Sequence, residues 1–362
     1  MKKLLSLFLM AIFCMAGYAQ AVIDPLLSEE MGRRNDDEQI KVIVLMKSQY
    51  DRAQLNRQAD WFVTKAERRE FVVNGLKEFA AAAQYDLRQS LVEMERNGMV
   101  SSPTVLWIAN ALYFDATKAA IQDLARRNDI EIIGYAMEHN WIPDGEEADP
   151  ASATREITPN VTQVHADQVW ALGYTGEGVV VAVIDTGVNY NHLDLADHLW
   201  DGGSDFPHHG WDVYNHDDNP MDDHGHGTHC SGTVCGDGKA GSQTGMAPNA
   251  TLMCVKCIGS DGNGGAQNIS EGIQWAVEHG CDMFSMSLGL PNSSIPDRTL
   301  LRHTCEAALD AGVVAAIAAG NEGSSQWQYP IPNNVRAPGS CPPPYMDEVQ
   351  GTNPGDLTCS VC

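Results

Sequence analysis

Val179-Val-Val-Ala-Val-Ile-Asp-Thr-Gly187 decides the fold. Its first six residues, Val179–Ile184, are all apolar and show no period-two alternation. A strand without alternation is covered on both faces, as in a parallel sheet flanked by helices. The run stops on Asp185, followed by Thr186-Gly187. That places a carboxylate at the carboxyl end of a buried strand, where open α/β sheets gather their chemistry.

Working outward, the runs Thr251–Ile258, Met283–Ser287 and Val313–Ala318 repeat this pattern, and helical stretches Ser270–Gly280 and Asp297–Gly312 lie between them. Strand–helix alternation predicts an open α/β domain over residues 158–362. The pair Cys254-Val-Lys-Cys257 has the spacing of a zinc half-site, but it falls inside a strand. Residues three apart on a strand face opposite ways, about 10 Å apart. Two small apolar core residues are therefore expected there.

Upstream the pattern differs. Lys2 and Lys3, the apolar run Leu4–Met15 and the small-residue site Gly17-Tyr18-Ala19 read as a signal peptide cleaved after Ala19. The run is shorter than the ~20 residues that span a bilayer, so export without stable membrane insertion is expected, to a secreted or periplasmic location. A polar lead-in, 20–37, precedes a strand at Lys41–Lys47. A long helix is predicted by Val72, Leu76, Phe79, Ala83, Leu87, Leu91 and Met94, ended by Asn97-Gly98. Val105–Asn110 and Ile130–Tyr135 read as strands, with a helix between them capped by Asp115 and carrying Ile121, Leu124 and Ala125. Residues 38–140 thus form a small α+β unit. The acidic stretch Asp144–Ala153 has no apolar period, so 141–157 reads as an exposed linker.

Composition narrows the functions. The 362 residues are 43% hydrophobic and carry a formal net charge of −25. So acidic a chain lacks the basic patches that nucleic acid or anionic membranes require, so no nucleic-acid partner is expected. Ten cysteines become nine if Cys14 leaves with the signal. An odd number leaves at least one thiol unpaired even where export permits disulfides.

Three short motifs carry chemistry. Asp185 is either a helix or turn cap or half of an aspartic-protease pair. The second reading needs another Asp-Thr-Gly or Asp-Ser-Gly, and the sequence has none. In Asp222-Asp-His-Gly-His-Gly-Thr-His-Cys-Ser-Gly232, histidines 224, 226 and 229 suggest zinc. A metallo-hydrolase of the β-lactamase type would have Asp just before the third histidine, where this chain has Thr228. The other reading is a helix whose first turn presents one imidazole, His226, with Gly225 and Gly227 admitting close backbone. Asn321, in Ala318-Ala-Gly-Asn-Glu-Gly323, follows a buried strand. It is either a turn residue or an amide donor to a developing oxyanion.

In this order, Ile184-Asp-Thr-Gly, His226-Gly-Thr-His-Cys-Ser-Gly and Ala319-Gly-Asn-Glu-Gly resemble three signatures of the subtilases, the subtilisin-like serine proteases. The resemblance runs from about Gln163 to the end of the chain. It implies a subtilisin-like α/β fold, incomplete here, with a parallel sheet and flanking helices, preceded by a small α+β propeptide domain. It also implies a serine endopeptidase precursor acting on protein or peptide substrates. His226 would be the general base, Asp185 its orienting carboxylate, and Asn321 the oxyanion donor. Ser287-Leu288-Gly289 and Gly264-Gly265 resemble the two edges that pair with an extended substrate. Ala318-Ala319-Gly320 would wall the specificity pocket. A structural calcium is implied in the oxygen-rich loop Asp212–Met221, with Asp212, Asp217 and Asn219 as ligands. The 38–140 unit resembles the family's propeptide, which assists folding and blocks the cleft, so the chain's own propeptide is an expected partner, with processing inside 144–157.

One departure stands out. The family nucleophile lies in a Gly-Thr-Ser-Met-Ala-like motif, and none of Ser231, Ser285, Ser324 or Ser340 follows Gly-Thr. The chain is expected to stop before the nucleophile. Alone it would then be inactive and poorly stable, since loss of the serine removes nearly all hydroxyl-based catalysis. The alternative is a non-catalytic protein that binds peptides or acts as a decoy.

Overall fold

The computed structural model describes residues 20–142, 156–290, 294–321 and 335–339. The proposed signal peptide, most of the linker with its processing site, and Ser324 and Ser340 fall outside these residues.

The first unit is a five-stranded sheet made by β1 (Val22–Ile23), β2 (Gln39–Met46), β3 (Val100–Leu106), β4 (Ala111–Thr117) and β5 (Ile130–Tyr135). Its order is β1-β5-β2-β4-β3, antiparallel except for the β1/β5 pair. The lead-in is therefore part of the fold: β1 completes the sheet, and Asp24 caps α1 (Pro25–Arg33) by accepting from the Leu26 and Leu27 amides.

α2 (Arg52–Ala59) precedes the predicted long helix, which is two helices, α3 (Lys65–Ala83) and α4 (Tyr85–Arg96). They meet at buried Gln84, whose amide donates to the Asn110 side chain and the Ala111 carbonyl. The apolar spacing carries through the break, and a side-chain hydrogen bond makes it. The strand expected at Val105–Asn110 begins earlier and stops at Leu106, because Trp107–Ala109 tighten into a 3₁₀ turn closed by left-handed Asn110. Thr117, not Asp115, caps α5 (Lys118–Leu124), accepting from the Ala120 amide, while Asp115 lies within β4.

The short strand β6 (Glu138–Asn140) leads to the second unit. After the short helices α6 (Pro159–Gln163) and α7 (Ala166–Ala171) come β7 (Val180–Asp185), β8 (Gly210–Asp212), α8 (His226–Cys235), β9 (Thr251–Lys256), β10 (Asn263–Gly265), α9 (Ala266–Glu278), β11 (Met283–Met286), α10 (Ile295–Asp310) and β12 (Val314–Ile317). Five of these strands form one all-parallel sheet, ordered β12-β11-β7-β9-β8. β7, read from its unbroken apolar run, is the central strand. Cys254 packs with Val181, Val183 and Cys235 on one side, and Cys257 packs with Ile184, Ile269 and Ile273 on the other, as strand geometry requires. No two of the six cysteines among the described residues are joined by a disulfide.

The two units share one core. Ile43, Val72, Leu76, Trp107 and Ile108 of the first belong to the same buried cluster as Phe284, Leu300 and Leu301 of the second. α9 and α10 lie between the two sheets. Asp310 fastens the seam: its buried carboxylate accepts from Arg52 at 2.7 and 3.0 Å, from Asn56 at 2.7 Å and from Tyr50 at 3.0 Å. Asp310→Ala is expected to destabilise the chain by about 1–2 kcal/mol, modest because Arg52 keeps contact with water. Urea denaturation would read this as a lower midpoint at unchanged slope.

Candidate active site

Asp185 ends β7 and is fully buried. Its Oδ1 is 2.7 Å from Nδ1 of His226, the first residue of α8, and accepts from the Thr186 amide at the same distance. Residues 41 apart in sequence thus meet because a strand ends where a helix begins. The approach is possible only because residue 227 is glycine: a Cβ there would stand 2.1 Å from the Gly187 carbonyl oxygen.

Two residues that the motif reading passed over hold this junction. The Asp222 carboxylate accepts from the Thr186 hydroxyl, the amides of His224, Gly225 and Thr228, and the Thr228 hydroxyl. It thereby caps a helix whose own N-cap, Gly225, has no side chain. Burial acts to raise the Asp222 pKa, but these donors outweigh it and hold it below the usual carboxylate value. Lys256 at the end of β9 is buried, and its ammonium donates to the carbonyls of Thr186 (2.7 Å) and Ile258 (3.0 Å) and to Asp223 (2.6 Å). It ties the turn after Asp185 to the loop before His226. The signal was present in the sequence: one lysine inside an otherwise apolar run.

For His226, burial works to lower the pKa. The hydrogen bond to Asp185 and the neighbouring Cys230 thiol work the other way and prevail, pushing it up to about 10. His224 and His229 are exposed and do not join a metal-ligand group with His226.

The two predicted substrate edges face each other across a segment of the chain itself. β6 pairs antiparallel with β10, with Gly264 opposite His139 and Gly265 opposite Glu138. Trp141 follows. Its amide donates to the Gly262 carbonyl (3.0 Å), its indole N–H to the Gly264 carbonyl (2.8 Å), and its own carbonyl accepts from Gly289 (3.2 Å). It is fully buried. The linker therefore begins beyond Trp141, because residues 141 and 142 are packed rather than exposed. Ser287 is half-buried, and Leu288 and Gly289 are buried just past β11.

Asn321 is exposed and lies just past β12, after Ala319 and Gly320, the latter at φ +96°. The Ala318 amide donates to the Met286 carbonyl, which brings this turn alongside the 287–289 edge.

The calcium set does not present a cation cradle. Both Asp212 oxygens accept from Asn215, Asp217 accepts from the Asn219 amide, and the Asn219 side-chain oxygen accepts from Tyr190. These oxygens already accept from donors of the loop itself and from Tyr190, and burial raises the Asp212 pKa.

Residues 176–345 match the Subtilase family model. Subtilisin DY of Bacillus licheniformis is 40% identical over 168 residues, covering 46% of this chain and 56% of that protein. The major intracellular serine protease of Bacillus subtilis (strain 168) is 37% identical over 192 residues, 51% of this chain and 58% of that one. A cold adapted subtilisin-like serine proteinase of known structure is 30% identical, with a TM-score of 0.35 over 41% of this chain and 49% of that chain. Residues 176–345 of this chain are thus similar to the subtilase family. The chain spans about half the length of these curated relatives.

Proposed function

We propose that the chain is the precursor of an exported serine endopeptidase, held inactive by its own 20–142 unit. The observation that carries this is the 2.7 Å bond between Asp185 and His226 at the carboxyl end of a parallel strand. In that arrangement Asp185 fixes the ring through Nδ1, which leaves Nε2 to take the proton of a serine hydroxyl and return it to the leaving amine. Asn321 offers its side-chain amide to the oxyanion. The roles proposed here are those of Asp185, His226 and Asn321. β6 and Trp141 occupy the strand-pairing edges that a substrate would use, by main-chain bonds in the manner of β-augmentation. The signal peptide and the processing site in 144–157 belong to this proposal as well.

Two measurements test it. The gene product isolated from its source should react with a fluorophosphonate and should begin within residues 144–157. A mature protein that retains residues 20–142 and ignores the reagent would favour the non-catalytic, peptide-binding reading. In the chain itself, NMR of His226 should show an imidazole titrating well above 6.5 and a strongly deshielded Nδ1–H. Asp185→Asn should lose that resonance and lower the titration, because burial is then opposed by Cys230 alone. The sign for stability follows: a folded-state pKa raised above its unfolded value contributes stability that is fully present below pH 6.5 and lost as pH climbs through about 10. The stability gap between wild type and Asp185→Asn should shrink over that window.

A further inference from the structure

We infer that Asp185, His226 and Cys230 form a site for one zinc-class divalent cation, and that the cation disables the proposed general base. Cys230 lies four residues beyond His226 on α8, so both side chains emerge on one face. Its Sγ is 3.7 Å from His226 Nδ1 and 3.9 Å from Nε2. Carboxylate, imidazole and thiol donor atoms all lie within 4.8 Å of one another.

A second observation points to a ligand. Asp185 is wholly buried, and its Oδ2 has no hydrogen-bond partner. A buried carboxylate oxygen left bare is costly, and a cation would relieve it. The spacing also fits. Sulfur and nitrogen on a tetrahedral zinc, with bonds near 2.3 and 2.0 Å, stand about 3.6 Å apart, close to the 3.7 Å already present. Two adjustments complete the site: the Asp185–His226 contact opens by about half an ångström, and the Cys230 side chain, now nearly equidistant from both ring nitrogens, turns toward Nδ1 and the carboxylate. A thiolate, an imidazole and one carboxylate suit zinc rather than calcium, and leave a fourth position for water.

The consequence is exclusive occupancy. A cation on Nδ1 replaces the proton that Asp185 and His226 share, and binding sends that proton and the Cys230 thiol proton to solvent. With Nδ1 metallated, the ring is no longer held for proton transfer at Nε2. The other candidate group, Asp197, His198 and Asp237, already contains a cation, since the Lys239 ammonium bridges Asp197 and Asp237.

The experiment uses the full chain and needs no catalysis. Titrated with Co²⁺, it should develop a thiolate-to-metal absorption band saturating at one equivalent and discharged by Zn²⁺. Cys230→Ser should abolish the band and weaken Zn²⁺ binding at least 30-fold, while Asp237→Asn leaves both unchanged. Because a helix variant can misfold, a second reading uses wild type alone: Zn²⁺ should slow iodoacetamide alkylation of Cys230 at least tenfold by peptide mass spectrometry. A Co²⁺ spectrum without a thiolate band, Zn²⁺ binding that survives Cys230→Ser or vanishes with Asp237→Asn, or unprotected alkylation would each overturn the site.

Discussion

Trp141→Ala is expected to destabilise the chain by about 3–5 kcal/mol, the usual cost of emptying a large aromatic site in a core, and to loosen β6 from β10. The indole fills its site completely and also donates to the Gly264 carbonyl, so the variant loses both packing and a buried hydrogen bond. The effect should be local as well as global. Hydrogen exchange at Gly265 and in residues 138–142 should accelerate more than in β7 or β9. Trp141→Phe keeps most of the volume but loses the N–H, and should fall between the two. If Trp141→Ala left exchange in 138–142 slow, the tail would be held by something other than this side chain.

The second large effect is expected at Lys256. Lys256→Met keeps the length of the side chain and removes its donors. The buried carbonyls of Thr186 and Ile258 are then left unpaired, at about 1–3 kcal/mol each. Asp223 is half exposed and returns to water at little cost. A fall in Tm of roughly 3–8 °C follows for a chain of this size. The distinguishing readout is at His226, whose Nδ1–H resonance should weaken or shift, because the turn carrying Asp185 and the loop leading to α8 lose their common anchor. A Tm within 2 °C of wild type, with that resonance unmoved, would show that the buried ammonium does not hold this junction.

Much of this arrangement was legible in the sequence. The unbroken run at 179–184 marked a strand covered on both sides, and the abrupt Asp185 marked its functional end. The meeting with His226, at 2.7 Å, was expected from the subtilase resemblance, and glycine at 227 admits the close approach it needs. What escaped was set by polar contacts distant in sequence. Gln84 splits an apolar stripe that continues unbroken, because its partners, Asn110 and Ala111, lie in another element. Trp141 was read as linker because the apolar pattern there is one residue wide and its partners are glycines 121 and more positions away. The oxygen-rich loop at 212–219 gave the composition of a cation site, but composition does not say which oxygens the loop spends on itself.

The core common to both units has a further consequence for the proposed processing. A smaller unit cut loose would carry Val72, Leu76, Trp107 and Ile108 into water together. At about 25 cal/mol per Å², such a naked face makes the detached piece prone to unravel and to be degraded. Separation would then run one way. The shared face would thus make a separated 20–142 unit short-lived, so the proposed processing would act as a ratchet.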